Sequence, residues 1–196
     1  MGACYRSRTM NDPRTHRERM IAGDIYDPED AELVGMRLKA TQLTEQYNRT
    51  SIANAAVRKS ILDDLFGHAG EAIEIRTGLQ VDYGSNISIG ARTFANFGFT
   101  ALDVSPITIG EDVQIGPNVQ LLTPTHPIDP AQRRAKIEAS KPITIGDNVW
   151  LGGGVIVCPG VTIGENTVVG AGSVVVKSLP ANVVAVGNPA RIVKRI

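Results

Sequence analysis

From residue 109 onward an aliphatic side chain recurs at every sixth position, as Ile109, Ile115 and Leu121 and, after an interval, Ile145, Leu151, Val157, Ile163, Val169 and Val175. A small or β-branched residue stands four places after most of them, at Val113, Val119, Val149, Val155, Val161, Thr167 and Ser173. This period belongs neither to an amphipathic helix nor to an alternating strand. It marks a parallel β-helix, in which each unit makes one short strand and one corner, and three units close a triangular coil of about 18 residues. The aliphatic residue is buried only when coils stack, so the pattern predicts interior ladders of Ile, Leu and Val. Glycine follows the aliphatic residue in Ile109-Gly110, Ile115-Gly116, Ile145-Gly146, Leu151-Gly152, Ile163-Gly164 and Val169-Gly170. Asp112, Asn118, Asn148 and Asn166 suit corners that need a positive φ. A weaker stretch through Val81, Ile87, Ile89 and Ala101 extends the repeat towards the N-terminus.

The pattern differs before residue 71. Leu33, Met36, Leu38, Leu43 and Tyr47, then Ile52, Ala56, Ile61, Leu62, Leu65 and Phe66, fall near helical spacing. They predict two amphipathic helices between Asp27 and Phe66, broken around residues 48–51 and stopped by Gly67 and Gly70. Residues 1–20 carry no apolar period and predict a mobile arm, so the chain divides into an arm at 1–20, a helical segment at 21–70 and a β-helix at 71–196. The helices can cap one end of the solenoid. The repeat breaks once, at residues 123–142, where TPTHPIDPAQRRAKIEASKP contains no ladder. A long loop in a compact solenoid is usually functional.

Composition narrows the function classes. With 42% hydrophobic and 20% charged residues in a chain of 196, a buried core is expected and disorder is not. Glycine is abundant, with 20 residues, and aromatics are scarce at 5%, as a repetitive, corner-rich fold requires. Twenty Lys and Arg balance twenty Asp and Glu, so no net field favours nucleic acid or an anionic membrane surface. No apolar run is long enough to span a bilayer, and the polar start MGACYRSRTMNDPRTHRERM does not read as a signal peptide, which predicts a cytoplasmic protein. Cys4 and Cys158 form no CxxC spacing, in keeping with a reducing compartment.

The segment ITIGDNVWLGGGVIVCPGVTIGENTVVGAGSVVVKSLPANVVAVGNPARIVKRI resembles the maltose and galactoside O-acetyltransferases over its whole length. MIAGDIY, DYGSNISIG, FANFGFTALDVSPITIG and TPTHPID do so as well, and the likeness runs in order over residues 18–196. It is nearer the maltose type, through ALDVSPITIG and THPIDP. The resemblance implies a left-handed β-helix, a hand that periodicity alone does not determine. It also implies a homotrimer with active sites shared between neighbours, and transfer of acetyl from acetyl-CoA to a sugar hydroxyl such as that of maltose or glucose.

A hydroxyl is a poor nucleophile at neutral pH and needs a base, for which imidazole is suited. Of the three histidines, His16 lies in the arm and His68 beside the helix-ending glycines, while His126 lies in the loop and matches the family's catalytic position. The resemblance implies direct attack without an acyl-enzyme, and Cys158 reads as a small packed residue rather than a nucleophile. It assigns the oxyanion donor to the Gly153 N–H and the acceptor contacts to Asp82, Asn96 and Asp103. Glu138, late in the loop, is a candidate to orient the imidazole or touch the sugar, with a solvated loop carboxylate as the default account. A corner carboxylate bonded to backbone is nearly as good an account of Asp103. Acetyl-CoA is assigned to Gly153, Ala171, Val176, Lys177, Arg191 and Lys194, the cations meeting its phosphates. Trp150, the sole tryptophan, is expected to point outward into a subunit or CoA-groove contact.

Two competing classes share the scaffold. A γ-type carbonic anhydrase requires three histidines on zinc, and only His126 lies within the repeat region, so no metal is expected. A non-catalytic binding solenoid would need neither the loop histidine nor the acidic and amide residues around it. Antibiotic, amino-acid or nodulation-factor hydroxyls are alternative acceptors for the same chemistry.

Overall fold

A computed structural model describes residues 12–196. The chain is a left-handed parallel β-helix capped by helices, and its prism has three parallel sheets. The first holds His68–Ala69, Ile87–Ile89, Ile107–Ile109, Ile143–Ile145 and Thr162–Ile163. The second holds Glu74–Ile75, Phe94–Ala95, Gln114–Ile115, Trp150–Leu151, Val168–Val169 and Val183–Val186. The third holds Gln80–Val81, Thr100–Leu102, Gln120–Leu122, Ile156–Val157 and Val174–Val175. A final strand, Arg191–Arg195, turns back antiparallel to Val183–Val186 and ends the second sheet.

The six-residue series becomes three interior ladders. Ile109, Ile145 and Ile163 stack on the first sheet, Ile115, Leu151 and Val169 on the second, and Leu121, Val157 and Val175 on the third. Each is at most 2% exposed, and burial of such a side chain contributes about 1.5–3 kcal/mol. The residues four places on, from Val113 to Ser173, are buried too, so both positions of each repeat face inward. Asp112, Asn118, Asn148 and Asn166 take φ of 57°, 56°, 54° and 59°, the left-handed corner conformation that short polar side chains tolerate. Asn148 Nδ2 donates to Asn166 Oδ1 at 2.9 Å, so one corner carries its own amide ladder.

The coils are not equal. Ile145 stacks on Ile163 with a spacing of 18 residues, whereas Ala69 stacks on Ile89 and Ile89 on Ile109 with a spacing of 20. The two extra residues fall each time at the corner leading from the third sheet to the first, in residues 82–86 and 103–106. The long loop at 123–142 leaves from the same corner one coil later. Three successive excursions therefore line one edge of the prism, and this irregularity is why the N-terminal repeats look weak in sequence.

Four helices complete the described residues: α1 (His16–Ile21), α2 (Ala31–Arg49), α3 (Ala55–Leu65) and, within the loop, α4 (Pro130–Arg134). α2 and α3 match the two expected helices, and their break spans residues 50–54. Leu33 and Tyr47 are buried as the helical spacing predicts, but Leu38 and Ile52 are exposed, because only one narrow face of each segment meets the prism. Polar side chains satisfy the open end of the first coil. Tyr47 Oη donates to Ile75 O at 2.6 Å, Arg58 Nη2 donates to the same oxygen at 2.6 Å, and Asn48 Nδ2 donates to Leu79 O at 2.9 Å. Gly67 follows α3 where a Cβ would lie 2.4 Å from Ser85 O, so only glycine lets the chain enter the solenoid there.

The expected arm at 1–20 needs correction over its described part. Residues 1–11 of it lie outside the described residues, but α1 begins at His16 with a capping box between Thr15 and Glu18, and Met20 is fully buried. A buried cluster of Met20, Tyr26, Leu33, Tyr83 and Val104 ties α1 to the edge of the prism that carries the three excursions. Among the described residues no helix is long and apolar enough to cross a membrane.

Candidate active site

The loop leaves and returns as a two-stranded hairpin, with Pro124 opposite Ser140 and Thr125 opposite Ala139. This pairing brings the next residues out on each side, His126 and Glu138, next to one another. His126 Nδ1 lies 3.5 Å from Ile137 O, and Nε2 lies 4.0 Å from Glu138 Oε1. A carbonyl only accepts, so the tautomer with its proton on Nδ1 fits the contact to Ile137 and carries its lone pair on Nε2. The imidazole is 57% exposed, whereas the Glu138 side chain is 16% exposed. The loop tip folds on itself. Asp129 caps α4 by accepting from Ala131 N and Gln132 N, and Arg133 donates to Pro127 O and Ile128 O.

Behind His126 stands a cluster of acids and phenols. Tyr26 Oη donates to Glu138 Oε2 at 2.5 Å, and Arg37 Nη1 donates to Tyr83 Oη at 3.2 Å and to Pro28 O at 2.7 Å. Burial, helped by the Asp103 and Glu138 charges and opposed by Arg37, pushes the Asp82 carboxyl up to about 6. Burial first, and then the bond to Glu138, raises the Tyr26 phenol, so it stays a donor.

Asp103 is not where an acceptor contact must be. It is fully buried, and its oxygens accept from the backbone N–H groups of Asp82 at 3.1 Å, Tyr83 at 2.8 Å and Asn86 at 3.2 Å. Its carboxylate is the acceptor that shapes the corner at 82–86, and it positions Asp82 instead of touching solute. Cys158 is half-buried, burial pushes its thiol up, and it packs against the core.

The other expected residues lie on a different edge. Asn96, Gly153 and Ala171 occupy corners between the second and third sheets, with the Gly116-Pro117 corner between Asn96 and Gly153, and with Phe94, Gln114 and Trp150 they line a groove of about 480 Å³. The Asn96 Oδ1 accepts from Phe97 N at 2.8 Å, which leaves its amide nitrogen free to donate. Gly152 N–H donates to Val169 O and Gly154 N–H to Pro117 O. Among the described residues the intervening Gly153 N–H, like that of Ala171, has no backbone acceptor. A Cβ at Gly153 would come within 3.3 Å of the Pro117 ring, so the groove floor is tight there. Trp150 is 56% exposed and points outward as expected. Val176 and Lys177 are exposed on the His126 edge two coils further on, and Arg191 and Lys194 are exposed on the last strand. One chain therefore joins His126, Glu138 and Asp82, and separately Asn96, Gly153 and Ala171, but does not bring the two groups together.

Residues 19–70 match the maltose acetyltransferase hexapeptide capping motif, and residues 142–177 match six bacterial transferase hexapeptide repeats. Nodulation protein L of Rhizobium meliloti (strain 1021) is 44% identical over 179 residues, which cover 91% of this chain and 98% of that protein. A maltose O-acetyltransferase from Clostridium difficile 630 superposes with a TM-score of 0.93 at 46% identity, covering 94% of this chain and 99% of that one. The chain belongs to the maltose and galactoside O-acetyltransferase family. A galactoside acetyltransferase in complex with coenzyme A, at 39% identity and a TM-score of 0.90, covers 93% of this chain and 92% of its own. The family's capping motif is the α1–α3 unit, and its repeats are the coils that follow the loop. The capping unit thus supplies Tyr26, from the connection between α1 and α2, and Arg37, from α2, to the edge where the loop emerges. Sequence reasoning missed both, along with Tyr83, because no period marks them. The quoted MIAGDIY and DYGSNISIG segments contain Tyr26 and Tyr83, and were the available signal.

Proposed function

We propose that the protein moves the acetyl group of acetyl-CoA to a hydroxyl of a sugar such as maltose or glucose, as a cytoplasmic homotrimer. The observation that carries this reading is the open Nε2 of His126, with Nδ1 turned to Ile137 O and a carboxylate beside it. His126 Nε2 takes the proton as the acceptor oxygen adds to the thioester carbonyl. The Gly153 N–H meets the oxyanion of the tetrahedral intermediate, which collapses to release the CoA thiolate, and His126 returns the proton to that sulfur. Asp82, Asn96 and Glu138 hold the acceptor. Gly153, Ala171, Val176, Lys177, Arg191 and Lys194 hold acetyl-CoA, and no metal takes part.

The separation of His126 from Asn96 and Gly153 on two edges of one prism supports the trimer. A site holding both groups needs the loop edge of one subunit against the groove of its neighbour; exposed Trp150 lines that groove, and exposed Phe97 follows its Asn96 in the chain. The names of the maltose and galactoside neighbours, one bound to coenzyme A, favour acetyl-CoA and a sugar. The likeness to nodulation protein L favours, as a second reading, the same chemistry on a nodulation-factor sugar. Thiol release from acetyl-CoA across maltose, glucose, galactosides and chitin oligosaccharides tests both. Transfer to none of a broad hydroxyl panel overturns the enzymatic reading.

A further inference from the structure

We infer that Tyr26, in the capping segment, is a positioning residue for the acceptor site: its phenol fixes the Glu138 carboxylate so that the free oxygen holds a second hydroxyl of the sugar beside His126. The inference rests on the acetyl-transfer reading above.

Tyr26 is 3% exposed and packs its ring among Met20, Leu33, Tyr83 and Val104. Its backbone forms an isolated antiparallel bridge with Glu138, and its hydroxyl donates to Glu138 Oε2. The capping segment grips the same strand of the loop at two further points. Ser140 Oγ lies 3.2 Å from Met20 O, and Gly23 passes so close that a Cβ there would stand 2.8 Å from Ser140 O. The returning strand of the loop is therefore held against the N-terminal segment as well as in its own hairpin.

A glutamate side chain has three rotatable bonds and loses substantial freedom when fixed. With Oε2 held by Tyr26, the remaining oxygen faces His126 Nε2 at 4.0 Å. In the tautomer with its proton on Nδ1, which a general base requires, both atoms are acceptors, and one hydroxyl has one proton, so a single hydroxyl cannot satisfy both. Two hydroxyls of one acceptor can, the first donating to His126 and reacting, the second donating to Glu138. Without the phenol, repulsion from Asp82 would turn the carboxylate away towards water, and the second hydroxyl would lose its partner. Such a site favours polyols and sugars over isolated alcohols.

The test is a double-mutant cycle on the full-length enzyme, Tyr26→Phe and Glu138→Gln singly and together, with maltose, or the best sugar of the panel above, as acceptor. The expected result is a 5- to 30-fold loss of kcat/KM for the sugar in Tyr26→Phe with the KM for acetyl-CoA unchanged. A similar loss is expected in Glu138→Gln, and little further loss on combining them. Glu138→Gln is nearly isosteric and carries the test even if Tyr26→Phe folds poorly. Sugar kinetics in Tyr26→Phe equal to wild type, losses that multiply in the double variant, or a matching rise in the KM for acetyl-CoA would overturn the inference while leaving acetyl transfer intact. A wild-type enzyme with no transferase activity would overturn both.

Discussion

Ile145 stacks directly on Ile109, in the same register that joins Ile163 to Ile145, although the loop carrying His126 lies between the first pair and a plain coil between the second. The ladder crosses the loop unbroken, so the solenoid supports the loop without depending on it. Replacing residues 128–135, which include α4 and no buried side chain, by a short Gly-Ser turn should leave Tm within about 3 °C and the circular dichroism unchanged. A collapse of Tm would show that the loop is part of the fold.

Ile145 itself is 1% exposed, with a neighbour above and below. Ile145→Ala should cost about 2–5 kcal/mol in urea unfolding, since stacked coils cannot close onto the space left. A cost under about 1 kcal/mol would show a looser interior than the ladders describe.

Asp103 should act through the fold and not through the acceptor. Asp103→Ala deprives three backbone N–H groups of their acceptor and should destabilise by about 2–4 kcal/mol, with Asp103→Asn intermediate. A variant of full stability with a raised sugar KM would restore Asp103 as a substrate contact.

Asp82 titrates in the opposite sense to a paired surface acid. Its folded pKa of about 6 stands above the ordinary 3.8, so the native state binds the extra proton between those values. Stability therefore falls as pH rises from about 4 to about 6 and then levels off. Asp82→Asn should remove that loss and be more stable than wild type by about 1–3 kcal/mol at pH 7, with no difference below pH 4. The same variant should raise the sugar KM and leave that for acetyl-CoA unchanged. Equal stability at pH 7 would contradict the half-buried, repelled carboxylate.

The solenoid was legible because its core is one-dimensional. Each ladder residue repeats at a fixed spacing, and Asn118 or Asn166 announces its corner by being able to take a positive φ. The loop was legible as the place where that spacing stops, and His126 as the histidine within it. What periodicity could not show is which edge each residue reaches. Asn96 and His126 look like parts of one site in sequence, and only the order of the sheets places them on different edges. Asp103 looks like Asp82 in sequence, and only the three amides converging on it mark it as structural. Tyr26 meets Glu138 across 112 residues, a contact that no local pattern encodes.

The most direct test of the account is the turnover of His126→Ala with acetyl-CoA and sugar, alongside calorimetric titration of acetyl-CoA into the same variant. The account predicts a loss of about a hundredfold or more in kcat with acetyl-CoA affinity retained, the usual scale of a general base. Near-normal turnover in that variant would contradict it.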